Sequence, residues 1–127
     1  MSVVAYAKSM KLVFIAFLLF MSCCISLFIL FDEILKFQHK NYYSDWLADG
    51  KPHGFFFKPE ETKTFFGMPG FGSWFAMQRR CFALTWKTPN WADKEPRIIK
   101  LISWYRILNV IAFAVWLLFA YTGIYQI

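Results

Sequence analysis

Two stretches of the chain run without a charged residue for long enough to cross a lipid bilayer, and they lie at its two ends. Leu12 to Phe31 is a run of 20 residues whose only hydrophilic members are Ser22, Ser26, Cys23 and Cys24. As a helix it is about 30 Å long, the thickness of a hydrocarbon core. Ile107 to Ile127 is a second run, of 21 residues, interrupted only by the polar Asn109, Thr122 and Gln126. Trp104 and Tyr105 mark one end of it, Tyr121 and Tyr125 the other. From Trp104 to Tyr121 a helix rises about 26 Å, which matches the separation of two aromatic belts. A chain of 127 residues that is 58% hydrophobic has too little core volume to hide this surface from water. That excludes a disordered chain, a disulfide scaffold and an ordinary soluble enzyme. The expected fold is an all-α membrane protein, a two-helix transmembrane hairpin with a short cytoplasmic, partly helical interfacial cap. Its parts are an N-terminal tail (1–11), a first span (12–31), an aromatic-rich basic segment (32–106) and a second span (107–127).

The first run also has features of a leader: Lys8 and Lys11 precede it, and Phe20-Met21-Ser22-Cys23 resembles a lipoprotein cleavage site. The apolar run continues eight residues past Cys23, beyond an ordinary leader core, and this favours an uncleaved anchor over a lipidated Cys23. Lysine and arginine near the spans set the orientation. The segment 32–106 holds 12 of the 14 basic residues, so it is expected in the cytoplasm with both termini outside.

Helix pairing in lipid depends on close packing and polar contacts. On the first span Ala16, Leu19, Cys23 and Ser26 share a face, with Ser22 beside them as a small-xxx-small partner of Ser26. On the second, Asn109, Ala112, Trp116, Ala120 and Gly123 form one stripe. Ser22, Ser26, Asn109, Ala112 and Ala120 are therefore the helix-packing candidates, meeting each other or another membrane protein.

The middle segment is no solvated linker, since 17 of its 75 residues are aromatic. The first helix is expected to continue through Glu33–Phe37 towards Trp46-Leu47 and to stop at Asp49-Gly50, with Gly50 free to take a left-handed cap. Glycines and prolines break regular structure between Gly54 and Gly72, yet Phe55-Phe56-Phe57 and Phe65-Phe66 demand burial. Residues 73–87 read as a helix with Trp74, Phe75, Phe82 and Trp86 on one side, Arg80 and Lys87 opposite, and Arg79 at the border. This pattern suits a helix lying in the membrane interface with its cations at lipid phosphates, or one packed on the ends of the spans. Arg79, Arg80, Lys87, Trp74 and Trp86 are thus lipid-interface candidates. Asp93 is read as the N-cap of the last helix, with Glu95 and Pro96 in its first turn.

Motifs for catalysis are absent. The three cysteines form no CxxC pair, His39 and His53 lie outside the spans as solvated side chains, and no phosphate loop, nucleophile elbow or HExxH is present. No acid or base sits within a span, as transport would need. No cofactor, metal or nucleic acid is expected, and membrane attachment accounts for the net charge of +6.

The layout resembles the universal stress protein B family, small bacterial membrane proteins with a helix at each end and a basic middle. The local echoes are Asp49-Gly50 followed by Gly54-Phe55-Phe56, and Asp93, Glu95 and Arg97 ahead of the stretch reaching Arg106. The resemblance implies a bacterial inner-membrane location and a stress-associated role without enzymatic activity. The expected function is binding of protein or lipid at the membrane. An accessory subunit of a respiratory or secretion complex, or a phage-exclusion or toxin-immunity protein, are the alternatives.

Overall fold

A computed structural model describes residues 2–64 and 67–125. The Phe65-Phe66 pair and the last two residues of the second run, Gln126 and Ile127, lie outside the described residues, as do the side chains of Thr122, Ile124 and Tyr125. The described chain is all-α: α1 (Val3–Asn41), α2 (Tyr43–Ala48), α3 (Phe71–Trp86) and α4 (Pro96–Tyr125), with short 3-10 turns at Glu60–Thr62 and Asn90–Lys94.

The two long helices pair antiparallel. The Phe31 ring lies 6.4 Å from that of Tyr105, and farther along the Tyr42 hydroxyl donates to Glu95 at 2.7 Å. Both helices are long and apolar enough to cross a membrane. Residues 3–11, expected as a tail, are helical and continuous with α1: Ser2 caps the helix by accepting the Ala5 N–H at 3.1 Å, and no glycine or proline interrupts the stretch.

Helix α1 outlasts its apolar run by ten residues and ends at Tyr42, where the backbone leaves helical geometry at φ −132°, ψ 54°. One further turn and a half, α2, follows before a Schellman closure. Gly50 N–H reaches the Leu47 carbonyl and Lys51 N–H the Trp46 carbonyl, both at 3.1 Å, with Gly50 at φ 93°. The last helix starts later than its acidic residues suggest. Asp93 is not its N-cap but sits in the 3-10 turn 90–94. Pro96 disfavours helical geometry at the residue before it, and Glu95 accordingly lies at φ −119°, ψ 91°. Pro96 then takes the first helical position, which needs no N–H donor.

The core lies wholly at one end of the hairpin. Phe31, Ile34 and Leu35 of α1 meet Ile98, Ile102 and Tyr105 of α4, closed over by Met77 and Leu84 of α3 and by Trp91 and Ala92 of the 3-10 turn. Trp91 stacks 6.2 Å from Phe37 and lies 5.2 Å from Tyr42. By contrast, no residue of α1 from Met10 to Leu30 is buried.

Candidate functional site

Helix α3 is laid across this core with its non-aromatic side inward. Ser73, Ala76, Met77 and Leu84 are buried. Polar bonds fasten it along its length. The Ser73 hydroxyl, free of any capping duty, donates to the Lys51 carbonyl at 2.7 Å. Tyr105 donates to the Cys81 carbonyl at 2.9 Å, and Arg106 Nε donates to the Leu84 carbonyl at 3.0 Å. The second Arg106 contact, to the Thr88 hydroxyl, lets one guanidinium satisfy the end of α3.

The large aromatics are left outside. Phe71, Trp74, Phe75, Phe82 and Trp86 are all exposed, from 44% for Trp74 to 82% for Phe71. Their spacing along the helix places them on one face. Neighbours on that face touch edge to face, Trp74 with Phe75 at 5.0 Å and Phe82 with Trp86 at 6.2 Å. Arg79 is exposed at the border of that face, while Lys87, exposed just past the end of α3, lies on the side of Asp49 and Arg80.

Arg80 is not part of that outer surface. It is an internal tie, ion-paired with Asp49, whose Oδ2 also accepts from the fully buried Gln38 at 2.7 Å. The acid that draws it inward comes from the end of α2, a contact that helical periodicity alone does not reveal. Small cavities of about 270 Å³ lie on either side of this pair, one reaching Asp45, Lys87, Asn90 and Trp91, the other Ala48, Ala76 and Arg79.

A second bracket holds the loop after α2. Asp32 is 4% exposed, and its carboxylate accepts three backbone N–H groups, from Phe55 at 2.7 Å, Phe56 at 2.8 Å and Phe57 at 3.0 Å. Gly54 makes the approach possible, because a Cβ there would collide with the same carboxylate. Phe55 then stacks on Phe28 at 4.0 Å. The role of Asp32 escapes a residue-by-residue reading, in which it is a solvated charge at the edge of a span. The available signal is the acid directly at that edge together with glycine before three successive phenylalanines.

The histidines are not free surface groups either. His39 hydrogen-bonds Glu61 at 3.0 Å, lies 4.6 Å from the Trp46 ring, and through that bond lowers the Glu61 carboxyl below its usual range. His53 is buried with Nδ1 on the Gly54 carbonyl at 2.7 Å. Cys81 is set between α3 and α4, and burial pushes its thiol up to about 12. Among the described residues no three His, Cys, Asp or Glu side chains gather to hold a metal ion.

Of the helix-packing candidates, Ala112 is buried, while Asn109, Ala120 and Ser26 are half-buried. Asn109 Nδ2 is enclosed without a hydrogen-bond partner. Ser22 is a correction: it is exposed and donates to its own helix, to the Leu18 carbonyl at 2.9 Å. Leu19 and Trp116 also lie half outside, and the half-buried line on α1 is Ala16, Phe20, Cys23 and Leu27. Tyr105 turns into the core, whereas Trp104 beside it is 51% exposed.

No protein-family model, curated protein or solved structure matches the chain.

Proposed function

We propose that the protein is a non-catalytic integral membrane hairpin that acts by resting the aromatic face of α3 in the boundary between lipid headgroups and acyl chains. The observation that carries this reading is the exposure of all five aromatic side chains on one side of α3, while Ser73, Ala76, Met77 and Leu84 face inward. A helix packed only for a water-soluble fold places its largest apolar groups the other way round. The exposed Arg79 at the flank suits a lipid phosphate. The long helices support the same reading, since the core helix of a soluble protein is mostly buried and the apolar stretch of α1 is not. With 12 of 14 basic residues between the spans, the segment 32–106 takes the cytoplasmic side.

The test is tryptophan quenching by lipids brominated near the glycerol end of the chain, with the full chain in nanodiscs. Quenching is expected to fall when Trp74→Phe and Trp86→Phe are introduced. Quenching that is unaffected by both substitutions overturns the proposal. Shielding of these two indoles by a protein that co-purifies at fixed stoichiometry overturns it in favour of an accessory subunit of a larger complex.

A further inference from the structure

Beside the core, on the side of α1 away from Asp32, a shallow groove runs between the two long helices. Ser26, Ile29, Leu30 and Glu33 share one face of α1, and Arg97, Lys100, Trp104 and Leu108 share one face of α4. The lower part of the groove is an apolar cavity of about 300 Å³ lined by Ser26, Ile29, Leu30, Trp104 and Leu108. It lies where the uncharged runs of both helices meet the cap.

The mouth is charged and out of balance. Glu33 stands 3.8 Å from both Arg97, across the groove, and Lys36, one turn along α1. Lys100 lies one turn above Trp104, about 6 Å up the helix. Glu33 thus holds its two cations only at long range and without a hydrogen bond, Lys36 also lying over the Phe57 ring at 5.9 Å, and Arg97 and Lys100 are left exposed on the groove face of α4. Leu108 lies one further turn below Trp104.

We propose that this groove binds one anionic phospholipid, with its phosphate at Arg97 and Lys100, its glycerol region beside the Trp104 indole, and an acyl chain along Ile29, Leu30 and Leu108. Basic pockets between spans recognise anionic headgroups in this way. The excess positive charge selects the headgroup. A zwitterionic lipid brings its own cation against the same cluster, and a third helix would need acidic residues at that height. The proposal rests on the reading of α1 and α4 as membrane spans.

The full chain is first tested for resistance to alkaline carbonate extraction. It is then purified in mild detergent and offered phosphatidylglycerol or phosphatidylcholine with identical chains, with binding read by native mass spectrometry. One phosphatidylglycerol is expected to bind in preference to phosphatidylcholine. Arg97→Gln and Lys100→Gln, both at exposed positions, should each weaken that binding roughly fivefold. Leu108→Trp should block it without changing charge, and Arg79→Gln with Lys87→Gln should leave it unchanged. Release by carbonate overturns the membrane reading itself. Equal uptake of the two lipids by a carbonate-resistant chain, or wild-type uptake by the Arg97 and Lys100 variants, overturns the lipid site alone. A co-purifying membrane protein that Leu108→Trp displaces and phosphatidylglycerol does not also overturns it, in favour of a helix.

Discussion

Replacing Asp32 by asparagine keeps the side chain's size and removes its charge and half of its accepting capacity. In the native structure Oδ1 takes the Phe55 N–H while Oδ2 takes those of Phe56 and Phe57. An asparagine oxygen can occupy one of these positions, and its amide group must then point at a donor. In the better orientation the Phe56 and Phe57 bonds survive as neutral ones at about half their strength, and the Phe55 N–H is left unpaired at a cost of about 1–3 kcal/mol. The sum is about 2.5–6 kcal/mol of lost local stability. The assay is hydrogen–deuterium exchange on the full chain in nanodiscs, read at the amides of Phe55, Phe56 and Phe57. Their protection should fall roughly 60- to 20,000-fold, with the uncharged stretches of α1 and α4 unaffected. Gly54→Ala should loosen the same three amides by a different route, since its Cβ enters the space of the carboxylate. A change of less than about twofold at these amides in Asp32→Asn would refute the bracket, because even one lost neutral bond exceeds that.

Two further outcomes follow from groups with displaced ionisation. Glu61 is held below its usual range chiefly by the hydrogen bond from His39, so its folded value is lower than its unfolded one. The stabilisation it lends is present above the unfolded value and is lost as pH falls through the folded one. His39→Gln should move the Glu61 titration, followed by carboxyl carbon NMR, upward towards the ordinary glutamate range, and no movement would remove the coupling. Cys81, pushed to about 12 by burial, should resist iodoacetamide at pH 8 in the folded chain and react on denaturation, as read by peptide mapping. Rapid labelling of the folded chain would contradict the packing of α3 on Tyr105.

Features that depend on a single stretch of chain were legible from residue order. The two apolar runs, the Gly50 cap and a helix near 73–87 all declare themselves through length, periodicity or a left-handed backbone requirement. Features that join distant stretches were not. Arg80 looks like Arg79 until the Asp49 carboxylate, thirty-one positions earlier, is brought to it. Asp32 looks solvated until the Phe55–Phe57 amides close over it. The error at Ser22 is of another kind. A small-xxx-small pair is counted along one helix, but the side turned to the partner is set by both, and here α1 presents the line through Ala16, Phe20, Cys23 and Leu27. Asp93 lost its capping role to a local rule, the constraint that Pro96 places on the residue before it.

Helix α1 holds 39 residues without a glycine or proline, so it lacks the usual causes of a sharp kink and extends about 58 Å. Asp32 is fixed to this shaft three-quarters of the way along, and Gln38 is fixed farther on. A rotation or tilt imposed at the Val3 end therefore reaches both brackets with no hinge to absorb it. One motion would pull on the Phe55–Phe57 loop through Asp32 and on the Asp49–Arg80 tie through Gln38, so the cap registers the attitude of the rod as a torque.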